Sequence, residues 1–516
     1  LRRTGIEPSA IDAVVFASRM TPTSVFRLLC SWHDSLRNSS SSFSYLLNAY
    51  IIYQVLFRFL KFPEFIDSFF SSKIIASRLA RFGIHAPVHC IEHHEAHAAA
   101  AYYSGNSDEK TIVITLDAMG DGVSVTVNIG CGNSMERVYE QSGFSAISTY
   151  YQRLTEFLGF APLRHEGKIT SLAAYGRLNE KLLALAQSNL RFSKKTKGFE
   201  YKNYLLPESP HSPMYEQLRG YSREDIAFNF QKNFEDELTK FITWWVVKLK
   251  IYRIAVAGGI FANVSLNQRI KDIEGVQNVY IFPHMGDGGL AVGSALAYAR
   301  PKPFYLKNVY LGSEYDHGFI KSLLERQGIA YVFLEEEPLC ERIAELLAQG
   351  KTVGHFNERM EFGPRALGNR SILYRADDTT VMGWLNEKMD RSSFMPFAPV
   401  SLDHEAGSLY QDIDTVRYAL RFMTLAVDCT AKMKQLCPAG VHLDGTARPQ
   451  LLLKEDNPRL YRILEHYEKR KGVATVLNTS FNRHEEPIVC SPEDALKSFR
   501  ECELDVLVLN NFLISR

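Results

Sequence analysis

Apolar runs that end in glycine-rich or acidic turns punctuate the first half of the chain. Ile11–Ala17 (IDAVVFA) predicts a buried strand. Val88–Ile91, Thr111–Leu116, Val123–Ile129, Arg253–Val256 and Val279–Phe282 repeat its β-branched signature. Most of these runs are followed by helical patterns, and that alternation predicts an α/β domain with a mixed sheet. From about residue 21 to 82 the pattern is instead helical and aromatic-rich, broken by the serines at 39–42, and it reads as a helical insertion. Its most hydrophobic stretch, Phe43–Phe57, holds Asn48 and Gln54 and precedes Arg58 and Lys61. That predicts a buried or lid-forming amphipathic helix, too short and too polar for a membrane span. Arg300–Gly312, with Pro301 and Pro303, reads as a linker. The pattern then restarts with a helix near Gly318–Gln327, a strand at Tyr331–Leu334, a helix over Leu339–Gln349 and a strand at Thr352–His355. These features place one domain over residues 1–305 and a second over 310–516.

Composition narrows the function classes without choosing among them. Lys and Arg number 59 against 58 Asp and Glu, so a net charge of +1 gives no global attraction to nucleic acid, anionic membrane or acidic partners. The eight cysteines include no CxxC pair, which argues against zinc ribbons and, in a chain of 516 residues, against a disulfide framework. A reduced cytoplasm is the expected setting. The start, Leu1-Arg-Arg-Thr, has no signal-peptide apolar region and no initiator Met, so the chain reads as a fragment.

The candidate chemistry sits in the turns. In His93-His-Glu-Ala-His97 the outer histidines stand at i and i+4 of a helix that continues through Tyr103, a spacing at which two imidazoles can hold one cation. His94 lies off that face and suits a supporting or phosphate contact. An ordinary helix surface explains the pair equally well. Thr111–Leu116 delivers Asp117 at a strand end ahead of Gly120-Asp121-Gly122, either a ligand turn or a plain hairpin. Gly286-Asp287-Gly288-Gly289 leads into a small-residue helix, where Asp287 is a metal ligand or an N-cap and the free N–H groups suit phosphate. Ala257-Gly258-Gly259, followed by Asn263, allows close approach of a nucleotide or makes a tight packing turn. Three such turns with the His pair resemble an actin-like nucleotide fold with a metal between two lobes. Downstream, Arg359, Arg365 and Arg370 are set among Gly, Pro and apolar residues, a pattern suited to phosphate or carboxylate. Arg391, Arg448, Asn478, Thr479 and Ser480 extend it as a second anion site.

These motifs resemble the O-carbamoyltransferases of the nodulation and antibiotic-biosynthesis type. The segments that carry the likeness are EHHEAHAAAAYYSG, HEGKITSLAAYG, AGGIFANVSLNQRI, GDGGLAVGSAL, RMEFGPRALGNRSI, FMPFAPV, DGTAR and LNTSFN, and they cover nearly the whole chain. The resemblance implies an actin-like (ASKHA) domain, related to the universal tRNA threonylcarbamoyl transferase, followed by a YrdC-like α/β domain. It implies ATP and carbamoyl phosphate as co-substrates. The YrdC-like domain would condense them to carbamoyl-adenylate, and a hydroxyl of a sugar or other small biosynthetic molecule would then take the carbamoyl group in the actin-like domain. Carried over residue by residue, His93, His97, Asp117 and Asp287 match the metal and active-site positions. Ferrous iron is the implied ion, with magnesium accompanying ATP, although such a donor set suits Fe, Mn or Zn alike. One of the two histidines could instead serve as the base. Gly258, Gly259 and Asn263 would meet the adenylate, and Lys168 a phosphate or carbamoyl group. Arg365, Arg448, Asn478 and Ser480 would bind carbamoyl phosphate and ATP, with Arg359, Arg370 and Arg391 as further candidates.

Two departures stand out. The family normally begins with a strand pair bearing a Gly-Ile-Ser and His-Asp turn, and this chain starts after it, which implies a truncated or an impaired actin-like domain. Some relatives carry Arg where this chain has Met395 and Lys near Met389, a change for which Arg391 could compensate. Beyond the hydroxyl acceptor, neither nucleic acid nor membrane is an expected partner, and a homodimer is compatible with the sequence. The competing readings are a threonylcarbamoyl or hydrogenase-maturation transferase and a catalytically impaired nucleotide-binding or scaffold protein. The hydrogenase-maturation type normally carries an acylphosphatase domain and CxxC zinc motifs. The threonylcarbamoyl type lacks a fused C-terminal domain.

Overall fold

The computed structural model describes residues 5–19, 62–143, 146–201, 213–390, 392 and 394–516. Most of the expected insertion, including Phe43–Phe57, and Arg391 lie outside the described residues. The chain divides into two units, Leu1–Asn263 with Asp272–Tyr305, and Val264–Lys271 with Leu306–Arg516. The second unit therefore also takes in a short helix from the middle of the sequence. Among the described residues no helix is long and apolar enough to cross a membrane, and every described cysteine is free.

In the first unit β1 (Val14–Ala17) and β2 (Val88–Ile91) pair in parallel as a sheet of their own, with α1 (Phe62–Ala80) packed against β2. Helix α2 (His93–Tyr103) follows β2 directly. The main sheet is built from β3 (Thr111–Gly120), β4 (Val123–Cys131), β5 (Ser134–Ser142), β6 (Arg253–Ala257) and β7 (Asn278–Ile281), in the order β5-β4-β3-β6-β7. The β3–β4–β5 part is antiparallel, while β6 and β7 join in parallel. Ile112, Ile114, Leu116, Val125, Ile254 and Val256 are fully buried, each contributing ~1.5–3 kcal/mol of hydrophobic stabilisation. Helix α3 (Glu166–Ala173) packs on the long helix α4 (Arg223–Leu249). Helix α5 (Leu290–Ala299) packs on α2. That contact is close because a Cβ at Gly293 would collide with the Ala96 carbonyl oxygen.

The ladder between β3 and β4 slips once. Leu116 faces Val125 and Gly120 faces Val123, so residues 117–119 form a bulge. Asp121 and Gly122 then close the hairpin with φ of 51° and 79°, the left-handed pair a two-residue turn requires. The apolar run predicted to end at Leu116 stops where the ladder breaks. Strand β5 had no apolar signature, because its half-exposed polar sequence lies at the sheet edge.

The second unit is an eight-stranded mixed sheet. Its strands are β8 (Val332–Phe333), β9 (Val353–Phe356), β10 (Arg370–Arg375), β11 (Ala398–Leu402), β12 (Gln450–Leu452), β13 (Thr475–Ser480), β14 (Val506–Leu509) and β15 (Phe512–Ser515), in the order β8-β15-β14-β9-β10-β13-β11-β12. Leu339, Ile343 and Leu347 of the helix Glu336–Ala348, with Leu460, Ile463 and Leu464 of Pro458–Lys471, cover Val353, Leu373, Val400, Val476 and Val508 in one core. The arginine-bearing motif forms the connection between the antiparallel neighbours β9 and β10.

Candidate metal centre

Three local devices bring the His pair to two carboxylates. The start of α2 is pinned, since the Glu92 side chain caps it by accepting the Glu95 N–H at 2.7 Å and is itself held by Arg137 at 2.6 Å. The His93 N–H donates to Asp121 Oδ2 at 3.0 Å, and the same carboxylate accepts from Ser18 Oγ at 3.1 Å and the Arg19 N–H at 2.8 Å. Asp117 is turned out of the ladder by the β3 bulge and fixed by N–H donors, Ala118 at 2.6 Å to Oδ1 and Gly259 at 2.9 Å to Oδ2. Asp287 opens the 3₁₀ turn Asp287–Gly289 beyond β7. Its side chain caps no helix there, so the N-cap alternative does not describe it.

The imidazoles of His93 and His97 are 4.8 Å apart, edge to face. Nε2 of His97 lies 3.1 Å from Asp117 Oδ2 and 3.5 Å from Asp287 Oδ1, and Nε2 of His93 lies 3.5 Å from the same Asp287 oxygen. Both Nε2 atoms are buried and neither has an aligned hydrogen-bond partner. One ligand atom from each of the four residues falls within 4.8 Å of the others. Two neutral imidazoles and two carboxylates balance the charge of a divalent ion, and the donor set is one that first-row metals accept. A buried polar atom without an aligned partner is costly, and with two carboxylates in range these nitrogens are suited to a shared cation. The residues fit a metal.

Without an ion the centre holds a proton instead. Burial disfavours a charged His97, but Asp117 and Asp287 outweigh it and raise the imidazole pKa to about 9. Burial likewise opposes the Asp117 carboxylate, yet the His97 imidazole 3.1 Å away, with further help from His93 and the Gly259 N–H, holds it well below the usual carboxylate range. His94 is of another kind. Burial pushes it down to about 3, so it is neutral, its Nε2–H donating to the Val123 carbonyl at 2.9 Å and its Nδ1 accepting from Thr115 Oγ1 at 2.7 Å. It supports the helix from inside, with no nitrogen left for a phosphate.

The other candidates in the first unit separate. Gly258, at φ 110°, is required by packing, since a Cβ there would strike the Leu116 backbone. Gly259 is exposed, has room for a Cβ, and spends its amide on Asp117. Asn263 donates to Gln231 at 3.3 Å. Lys168 is buried on α3 with its ammonium 5.6 Å from the Phe160 ring centroid. Asp121 and Gly120 carry more of the centre than their place in the turn suggested. The signal available for Asp121 was the Asp-Gly pair at a hairpin turn.

In the second unit Arg365 is half-buried, and desolvation pushes its guanidinium down to about 10. Arg448, also half-buried, follows the short strand Thr446–Ala447. Asn478 donates to Gln450 Oε1 at 2.9 Å and the Ala366 carbonyl at 3.1 Å, leaving a buried Oδ1 without a partner. Ser480 stands opposite Ser371 at the end of β13. Arg359 is exposed and donates to the Leu311 and Gly312 carbonyls. Arg370 is placed differently from the other arginines of the motif. It is fully buried, 3.5 Å over the Phe356 ring, and donates to the carbonyls of Asn357, Asn369, Ser313 and Glu358 at 2.7–3.0 Å. Its two terminal nitrogens are spent on the loop it braces, while its buried Nε has no hydrogen-bond partner.

Comparison with known proteins gives this arrangement its class. The family model described as carbamoyltransferase N-terminus matches residues 1–296, and the one described as carbamoyltransferase C-terminus matches 344–516. An uncharacterized protein of Methanocaldococcus jannaschii is 33% identical over 455 residues, 82% of this chain and 73% of that protein. The nodulation protein NolO of Bradyrhizobium diazoefficiens is 28% identical over 439 residues, 83% of this chain and 79% of that protein. Full-length HypF in its phosphate- and nucleotide-bound form aligns over 43% of this chain and 44% of its own, at 18% identity and a TM-score of 0.26, a likeness that carries no argument. The chain is an enzyme, a transferase, and it belongs to the carbamoyltransferase family.

Proposed function

We propose that the protein is an ATP-dependent O-carbamoyltransferase working in two half-reactions. One observation carries the reading. In a carbamoyltransferase chain, two buried imidazole nitrogens without hydrogen-bond partners converge on two carboxylates, one of which, Asp287, leaves 71% of its side chain exposed. The first unit then corresponds to an actin-like transfer domain, a reading supported by its mixed sheet and the glycine-bearing turns after β3, β6 and β7. The second corresponds to a YrdC-like domain, supported by its mixed sheet and arginine-bearing loop.

In the second unit carbamoyl phosphate loses its phosphoryl group to water as inorganic phosphate. The freed carbamate oxygen attacks the α-phosphorus of ATP, giving carbamoyl-adenylate and pyrophosphate. Arg365 and Arg448 counter the phosphoryl charge as fixed guanidinium donors. At the first unit a hydroxyl of a small biosynthetic molecule attacks the carbamoyl carbon, AMP leaves, and the hydroxyl proton passes to base. His93, His97, Asp117 and Asp287 would hold a divalent ion, with ferrous iron our choice, and the ion would act as a Lewis acid toward the carbamoyl oxygen. Asp287, the most solvent-facing of the four, meets the entering hydroxyl. Gly259 keeps Asp117 aimed at the centre through its N–H.

The test follows pyrophosphate exchange and product separately. Full-length protein with ATP, carbamoyl phosphate and candidate sugars should show ATP–pyrophosphate exchange that depends on carbamoyl phosphate. Arg448→Ala should abolish exchange, whereas His97→Ala should retain it and lose carbamoylated product. Absence of exchange would remove the adenylate step. Unchanged product from His97→Ala would remove the transfer centre.

A further inference from the structure

The segment from His442 to Arg448 in the second unit folds back on itself. The His442 N–H donates to the Thr446 carbonyl at 2.7 Å and the Gly445 N–H to the His442 carbonyl at 2.9 Å, with Gly445 in the left-handed region at φ 84°. That pairing sets the His442 and Thr446 side chains on one side of the turn, where Nδ1 and Oγ1 meet at 3.0 Å. Arg448 lies two residues beyond Thr446, and extended backbone returns i and i+2 to the same face. The Arg448 charge is felt by the His442 ring accordingly. The two half-reactions leave His442 without a role.

The hydrogen bonds around the ring run in one direction. Thr446 Oγ1 donates its single proton to Asp444 Oδ1 at 2.7 Å, and the Thr446 N–H donates to the same oxygen at 3.0 Å. Oγ1 can therefore only accept from the imidazole, so Nδ1 carries the ring proton and Nε2 is left as a lone pair. Burial, opposed by Asp444 and reinforced by Arg448, pushes the ring pKa down to about 4, which keeps it neutral at neutral pH. The residue is half-buried, and Nε2 is not sealed among protein atoms. His442 thus presents a fixed acceptor that a ligand can reach.

A second acceptor stands in the same region. Gln450, two residues past Arg448, donates through Nε2 to the Leu367 carbonyl at 2.9 Å, and Asn478 Nδ2 joins Gln450 Oε1 to the Ala366 carbonyl. These bonds tie the Arg448 segment to the loop that carries Arg365. They spend both Asn478 amide protons and leave its buried Oδ1 without a partner. With Arg365 and Arg448 on a phosphoryl group, the adjoining acceptors call for an N–H donor a short step from the phosphorus.

We infer that His442 is a specificity residue for the amide end of the acyl phosphate, its Nε2 accepting an N–H of the carbamoyl group while Arg448 holds the phosphoryl group. The inference rests on the reading of the second unit as the carbamoyl phosphate site. Acetyl phosphate has a methyl group where carbamoyl phosphate has NH2, so it would leave the lone pair unmet. The ring cannot adapt by changing tautomer, because Thr446 Oγ1 has no proton to give it. The adenine amino group of ATP is no alternative donor. Ribose and base hold it far from the phosphates, whereas His442 shares a face with Arg448.

The experiment is calorimetric titration of the full-length protein with two stable analogues, phosphonoacetamide, which keeps the amide, and acetonylphosphonate, which carries a methyl in its place. Wild type should bind the amide at least about tenfold more tightly. His442→Leu should lose that preference, weakening the amide about tenfold while acetonylphosphonate shifts less than about threefold. His442→Gln, whose Oε1 can accept, should recover most of the preference, a rescue that a purely structural role would not produce. Thr446→Val, which takes the acceptor from Nδ1–H and frees the tautomer, should narrow the preference, and it decides the matter if the melting temperature shows that His442→Leu does not fold. Arg448→Ala should weaken both analogues alike, which tests the site itself. Equal affinity of wild type for the two analogues, or an undiminished preference in the variants at His442 and Thr446, overturns the role of His442 and leaves the carbamoyl phosphate site standing. If neither analogue saturates below about 10 mM, the site reading falls and the inference with it.

Discussion

Gly120 is the floor on which the His93 imidazole rests, because a Cβ at Gly120 would stand only 2.0 Å from the ring at Cγ. The two meet only because the β3 bulge throws residues 117–119 out of the ladder and returns the backbone beneath α2. Gly120→Ala must rotate the ring or lift the helix. We expect a loss of about 1–3 kcal/mol in stability, as for other forced overpacking, and a fall in bound metal. Urea unfolding and metal analysis of the purified variant check this. Full metal content at wild-type stability would free Gly120 of the role.

His97 sets the pH behaviour of the metal-free protein. Its folded pKa of about 9 lies above the ordinary 6.5, so the stability it contributes is complete below pH 6.5 and is lost as pH rises through about 9. A metal must displace that proton. We therefore expect about one proton released per ion at pH 7.5, and apparent affinity rising about tenfold per pH unit until it levels near pH 9. Titration calorimetry in buffers of different ionisation enthalpy counts the proton. Release of none would contradict the pairing with Asp117 and Asp287.

His94 gives the opposite sign. Its folded pKa of about 3 lies below 6.5, so its neutral form supports the fold fully above pH 6.5 and that support is lost as pH falls toward 3. The loss from this one group approaches ~1.4 kcal/mol per pH unit. His94→Gln, which keeps a donor and an acceptor, should have a shallower decline between pH 6.5 and 5 in urea unfolding. Equal slopes for wild type and variant would assign the acid sensitivity elsewhere.

The four residues of the centre were legible because each closes or opens a strongly patterned element. The His pair starts an alanine-rich helix, and both aspartates sit at glycine-marked ends of β-branched runs. The supports were less visible. Gly120 matters only once the ladder slips, and a slip follows from three-dimensional pairing that no local pattern records. Asn128 reads as one polar residue inside an apolar strand, and its bonds to the Val113 carbonyl and Thr126 Oγ1 emerge only in the folded sheet. Strand β5 escaped because an edge strand needs no second apolar face. The arginines show the limit most plainly. Arg365 and Arg370 share one motif and one side chain, yet β10 begins at Arg370 and carries it into the interior over Phe356.

That difference yields a test between two roles for Arg370. A lysine there could still balance a phosphate, but it cannot donate to four backbone carbonyls at once or stack flat on Phe356. If Arg370 braces the loop, Arg370→Lys leaves buried carbonyls unpaired, at a cost on the order of 3–5 kcal/mol. The melting temperature should then fall by roughly 10 °C for a unit of this size. If it instead contacted carbamoyl phosphate, the variant would melt like wild type and show a raised KM for that substrate. Desolvation already holds its pKa down to about 10, so the charge is tolerated in the interior only while the carbonyls surround it. We expect the thermal loss, measured by calorimetry, with residual exchange activity at low temperature retaining its wild-type KM for carbamoyl phosphate.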